Sequence, residues 1–242
     1  MNREYGINGT ITPLNDVVVV IPCFNAGDRV RAVVAAVRSQ VARVILVDDG
    51  STDGGADQAT DLAQVLRFER NRGKGHALIA GIEQALNMPD LRVIALMDAD
   101  GQHDAGALPG LYDAFLHEQA DLLVGARRFD RRQAPWASRI GNKTTAWITA
   151  RMFGCDLPDT QSGFRLLSPR FARAFVNTVP GGRYETEMRM LVMAIRGDYK
   201  IASAPIATIY EAGNANSHFR KIRDSLRVYV ALLQEMVRRR SC

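Results

Sequence analysis

At 242 residues, with 47% hydrophobic and 24% charged side chains, the chain is long and apolar enough to bury a large core, which excludes an intrinsically disordered segment. Its formal charge is +5, yet only four of its basic residues are lysines (Lys74, Lys143, Lys200, Lys221). Arginine-rich basicity suits phosphate and diphosphate because the planar guanidinium donates two parallel hydrogen bonds, though genome composition accounts for such a bias equally well. The basic residues are spread along the chain without zinc-ligand spacing, a basic zipper or an aromatic RNA-binding signature, so no nucleic acid partner is expected.

In chain order, apolar and β-branched runs at 17–21, 44–47, 65–68, 93–97 and 122–124 are continuous rather than alternating, as in strands covered on both faces of a parallel sheet. Segments with helical periodicity at 29–40, 75–86 and 107–118 lie between them, giving a doubly wound α/β half over 1–126. Past it come an amphipathic stretch at 136–153, a strand-like run at 164–167, helices at 169–177 and 187–196, a strand pair at 199–210 and a basic amphipathic helix at 217–239. No repeat, low-complexity tract or linker interrupts the sequence, so 127–242 is expected to pack on the same, mostly parallel sheet as one domain spanning 1–242.

Cys23, Cys155 and Cys242 are odd in number and far apart, which points to a reducing, cytoplasmic setting rather than a disulfide framework. Residues 1–15 lack a signal-peptide pattern, and no apolar run approaches the roughly 20 residues that cross a bilayer. Membrane contact is therefore expected to be peripheral.

In open parallel sheets, ligands bind at the carboxyl ends of the strands. The polar and glycine-containing segments fall there: Pro22, Cys23, Phe24 and Asn25 after the first strand, residues 48–53 after the second, Asn71 to Gly75 after the third, and 98–104 after the fourth. Asp98 and Asp100 are two residues apart at the end of an apolar run, so extended backbone points both carboxylates the same way. Their mutual repulsion calls for a hard divalent cation, Mg²⁺ or Mn²⁺, that keeps coordination sites open for phosphate oxygens. The alternative is an acidic turn capping the helix that starts near Gly106. Asp49 is placed to accept from a nucleotide base or ribose, or else belongs to a simple turn. Lys74, flanked by glycines at a helix start, is placed to meet phosphate with neighbouring backbone amides.

The set Val20 to Asn25, Val47 to Gly54, Asn71 to Gly75 and Met97 to Gln102 resembles glycosyltransferase family 2 in wording, order and spacing. The segments Asp159 to Arg165 and Ser217 to Arg220 resemble its dolichyl-phosphate mannose and polyprenyl-phosphate sugar synthase branch. The resemblance implies a GT-A fold and an inverting, metal-dependent transfer from a nucleotide diphosphate sugar, GDP- or UDP-linked, to an acceptor such as a polyprenyl phosphate. It implies nucleotide contacts from Pro22, Phe24, Asn25, Asp49, Lys74 and Asp98, and metal ligation by Asp98 and Asp100. It also implies catalytic roles for Asp98, Asp100, Gln102, Arg127 and Arg139, and acceptor contacts from Arg139, Asn142, Ser162, Arg165, His218 and Arg220. One position departs from the branch: Ala26 follows Asn25 where relatives often carry Glu, which leaves the base unspecified.

A lipid phosphate acceptor is already anionic near neutral pH and needs no dedicated base, whereas a hydroxyl acceptor would turn to Asp159 or Glu187. Trp136, Ile140, Trp147, Ile148 and Phe153 with Arg139, Lys143 and Arg151 suit an interface helix or an ordinary core-facing one. The basic tail helix is either a solvated face or a contact for anionic lipid. Asp98-Ala99-Asp100-Gly101 also imitates the nucleophile loop of haloacid-dehalogenase-type phosphatases, but there the loop follows the first strand. An inactive nucleotide-sugar-binding module is the non-enzymatic alternative.

Overall fold

The computed structural model describes residues 13–127, 157–183 and 185–207. The expected helices at 136–153 and 217–239 lie outside these residues, as do Arg139, Asn142, His218 and Arg220.

Strands from both halves of the chain form one seven-stranded sheet: β1 (Leu14–Cys23), β2 (Val41–Asp48), β3 (Gln64–Arg67), β4 (Val93–Leu96), β5 (Leu122–Arg127), β6 (Arg165–Leu167) and β7 (Ile201–Ile206). The described helices are α1 (Arg29–Arg38), α2 (Lys74–Leu86), α3 (Leu108–His117), α4 (Pro169–Thr178) and α5 (Glu185–Arg196).

The centre of β1 shows why its apolar run is unbroken. Val17, Val18, Val19, Val20 and Ile21 are all fully buried. Alternate residues face opposite sides, so Val17, Val19 and Ile21 pack in a core with Val30, Val34 and Val37 of α1. Val18 and Val20 pack in the other core with Leu78 and Ile82 of α2. Both faces being covered, no position on this stretch favours a polar side chain, and each buried aliphatic contributes about 1.5–3 kcal/mol.

The sheet order is β3-β2-β1-β4-β6-β5-β7, and every pairing is parallel except those of β6, which runs antiparallel to both β4 and β5. Arg165, the first residue of β6, is level with Leu96 on one side and Val124 on the other. A reversed strand starts at the edge where its parallel neighbours finish. The segment 157–164 therefore arrives at the carboxyl ends of β4 and β5, beside Asp98 and Arg127.

The connection from β2 to β3 holds a short 3₁₀ turn, Gly55–Ala59. One expectation is corrected. In the described part of 199–210 there is one strand, β7, and it pairs in parallel with β5 rather than with a hairpin partner. Among the described residues, no helix is long and apolar enough to cross a membrane.

Candidate active site

The ends of β1 and β2 are tied together by side chains. Asn25, at φ 47° in a region Asn tolerates, accepts from Thr52 N at 2.9 Å, and its own N–H donates to Ser51 Oγ at 2.9 Å. Gly27 N donates to Asp53 Oδ2 at 2.7 Å. Pro22 is buried at this edge, while Phe24 and Asn25 are half-buried above it. The expected nucleoside residues thus share one preformed loop pair.

Asp49 is only 3% exposed and is the lock of the next loop. It accepts from Arg72 N at 2.7 Å, Gly73 N at 2.8 Å and Asn71 Nδ2 at 2.9 Å. Burial raises its pKa, and the two backbone donors work against that rise. Gly75 N, in turn, donates to Gly182 O at 2.9 Å. The expected phosphate cradle is corrected here: the amides of Arg72, Gly73 and Gly75 are engaged inside the protein.

The acidic cluster lies two residues beyond β4. Asp98 Oδ1 is 2.6 Å from Lys74 Nζ, and the same ammonium reaches Glu187 Oε2 at 2.9 Å. Asp100 accepts from Gln102 N at 3.0 Å. The cap before α3 is neither of these: Asp104 accepts from Gly106 N at 2.8 Å. The capping alternative for Asp98 and Asp100 is thereby set aside, because a different aspartate performs it.

On the second-half side, Asp159 is fully buried and takes a two-pronged contact from Arg127, Nε to Oδ2 at 2.6 Å and Nη2 to Oδ1 at 3.2 Å. Ser162 is also fully buried, its Oγ accepting from Phe164 N at 3.3 Å within the turn. Arg165 has no exposed surface, and its guanidinium is directed to three carbonyls: Ser162 at 2.9 Å, Thr160 at 3.0 Å and Glu187 at 2.6 Å. The expectation that Arg165 meets an acceptor is corrected: it braces the loop from below and cannot present a face to solvent.

Four carboxylates converge on this edge. Asp98 and Glu187 share Lys74, and Asp159 has Arg127. Asp100 has no ion pair among the described residues. Burial and the charge of Asp98 push its pKa up to about 6. Burial would do the same to Asp98, but the Lys74 cation outweighs it and the net shift is downward. Burial also opposes the charge on Lys74, yet Asp98 and Glu187 more than compensate and raise its pKa. His103, 6% exposed with its ring 5.5 Å from that of Phe164, is pushed down to about 4 by burial and stays neutral. Its ring packs against that of Phe164.

Glu187 and Gly163 belong to this edge for reasons the sequence only half revealed. Glu187 is 8% exposed in a helix face otherwise made of Met188, Met190 and Leu191, and an acidic residue at a core position is the signal that marks it. Gly163 carries no such signal.

Comparison with known proteins follows the same line. Residues 18–172 match the family described as Glycosyl transferase family 2. The chain is 27% identical over 241 residues to the polyprenol monophosphomannose synthase of Mycolicibacterium smegmatis, covering 93% of this chain and 90% of the relative. It is 25% identical over 214 residues to the UDP-N-acetylglucosamine--dolichyl-phosphate N-acetylglucosaminyltransferase of Methanococcus voltae, covering 79% and 85%. The crystal structure of glucosyl-3-phosphoglycerate synthase from Mycobacterium tuberculosis with Mn²⁺, UDP and glucosyl-3-phosphoglycerate superposes with a TM-score of 0.69 at 18% identity, covering 90% of this chain and 79% of that one. The fold is thus the expected GT-A arrangement, and the chain belongs to glycosyltransferase family 2.

Proposed function

We propose that this glycosyltransferase moves a sugar from a nucleoside diphosphate donor to a polyprenyl phosphate, with inversion, using a divalent cation held by Asp98 and Asp100. The observation that carries the metal reading is the charge balance at the edge of β4. Of the carboxylates gathered there, Asp100 alone has no ion pair among the described residues, and burial makes its ionised form costly.

The donor set fits the ion. No group of three or more His, Cys, Asp or Glu side chains able to hold a metal exists among the described residues. Mg²⁺ needs only one or two carboxylates when water and substrate phosphates complete its shell, and Mn²⁺ suits the same oxygen ligands. Bound there, the ion would supply counter-charge to the departing diphosphate. Lys74 holds a second positive charge beside Asp98, ready to meet the same phosphates once the donor arrives. The loops around Asn25, Thr52 and Phe24 form the walls for the nucleoside, and Arg127 is fixed by Asp159 at the end of β5. Gln102 and Arg139 are read as further donor-side groups, and Asn142, His218 and Arg220 as acceptor-side groups.

The acceptor reading is supported by what the two candidate bases already do. Asp159 is buried against Arg127, and Glu187 is bound to Lys74. A phosphate oxygen is its own nucleophile and needs neither. The two relatives are named for different sugars on lipid phosphates, which favours the lipid class while leaving the sugar open. Such an acceptor would bring the enzyme to the cytoplasmic membrane surface as a peripheral protein. Incubation with a short polyprenyl phosphate, Mg²⁺ or Mn²⁺ and a panel of nucleotide sugars, read by mass spectrometry, tests this. A lipid-linked sugar is the expected product; transfer confined to hydroxyl acceptors would refute the reading.

A further inference from the structure

Lys74 answers to two carboxylates at once. Its ammonium stands 2.6 Å from Asp98 Oδ1 and 2.9 Å from Glu187 Oε2. The three side chains are only 17%, 27% and 11% exposed, so solvent screens them little. The negative charge of Glu187 offsets that of the ammonium facing Asp98.

Backbone contacts fix this geometry. A Cβ on Gly75, the neighbour of Lys74, would lie 2.0 Å from Oγ1 of Thr186, the neighbour of Glu187. The first turns of α2 and α5 therefore touch where the bridge forms. Glu187 is also held from its other side, because its carbonyl accepts from Arg165 Nη1 at 2.6 Å. One residue on α5 thus joins the Lys74 bridge to the loop that runs against Asp98.

We propose that Glu187 is a positioning residue of the donor site, its carboxylate offsetting the charge of Lys74 so that Asp98 keeps the negative potential needed to take a divalent cation. The inference rests on the reading of Asp98 and Asp100 as the metal carboxylates. Removing the charge of Glu187 makes the cluster one unit more positive. Removing Lys74 makes it one unit more negative. Removing both leaves the total unchanged and Asp98 uncovered.

The test is Mn²⁺ affinity without nucleotide, followed by electron paramagnetic resonance of the free ion, with thermal melts on the same samples. Glu187→Gln is expected to weaken Mn²⁺ binding about tenfold and Lys74→Met to tighten it about tenfold. The double variant is expected to return to about wild-type affinity, the sum of the two opposing single effects. A purely structural bridge would instead weaken binding in both single variants, along with their melting temperatures. That result, or wild-type affinity in Glu187→Gln, overturns the proposal. Lys74→Met leaves two buried carboxylates facing each other and is the variant most exposed to misfolding. In that event the double variant decides, since it must bind Mn²⁺ more tightly than Glu187→Gln alone. Equal Mn²⁺ affinity in wild type and Asp100→Ala would be a different failure, refuting the metal reading itself and this inference with it.

Discussion

The backbone of Gly163 passes against the carboxylate of Asp98, so closely that a Cβ there would meet Oδ2 at 2.4 Å and Oδ1 at 3.0 Å. The contact joins β4 to the loop entering β6, and it explains why that loop needs a residue without a side chain. Gly163→Ala must displace either the loop or the carboxylate. A loss of about 1–3 kcal/mol in stability is expected from the overpacking, with a fall of roughly tenfold or more in kcat/KM. Calorimetry and steady-state kinetics at saturating metal would check both. Unchanged turnover would mean that the position of Asp98 is not critical.

Asp100→Ala separates folding from chemistry. Turnover is expected to drop about 10²–10³-fold. The metal-free protein should melt at or above the wild-type temperature, because the substitution removes a half-buried carboxylate that has no ion pair among the described residues. Asp104→Ala is the counterpart: loss of the cap on Gly106 N should cost about 1 kcal/mol and leave turnover unchanged. Paired melts and rate assays on the two variants check the contrast.

Cys23 closes β1 opposite Asp48, and its thiol is pushed up to about 12, first by burial and then by Asp48, Asp53 and Asp49. The thiolate is the reactive form, and at pH 8 it is nearly absent at such a pKa. Iodoacetamide at pH 8 should therefore leave the peptide containing Cys23 unmodified until the protein is unfolded, as peptide mapping by mass spectrometry would show. In the folded protein its reactivity should go on rising with pH beyond the range where an ordinary thiol, with a pKa of about 8.5, has levelled off.

Much of this was legible in the sequence because the governing patterns are local. The unbroken apolar run of Val17 to Ile21 marks a central strand, and the Asp98, Asp100 pair at a strand end marks charge that needs a counter-ion. What escaped depends on contacts far apart in the chain. The reversed direction of β6 comes from pairing with β4 and β5, which a three-residue strand cannot advertise. Arg165 reads as a phosphate ligand by type, yet its burial under Ser162, Thr160 and Glu187 carbonyls makes it a brace. The glycine loop at Asn71 to Gly75 has a phosphate-binding composition, but Asp49 and Gly182 take its amides first.

Arg165→Met follows from that correction. It removes the buried guanidinium that donates to the carbonyls of Ser162, Thr160 and Glu187, charge-assisted hydrogen bonds of about 1.5–3 kcal/mol each. Denaturant unfolding should show a loss of about 3 kcal/mol or more, and donor hydrolysis and acceptor transfer should fall together. Full stability with selective loss of acceptor use would return Arg165 to the acceptor side.

Anomalous diffraction at the manganese edge, from a crystal soaked with Mn²⁺ and a nucleotide diphosphate sugar, bears most directly on the metal assignment. The account predicts one peak at coordination distance from Asp100, adjoining Asp98 and touching the diphosphate oxygens. A peak elsewhere, or an ordered donor with no ion beside these two carboxylates, would contradict it.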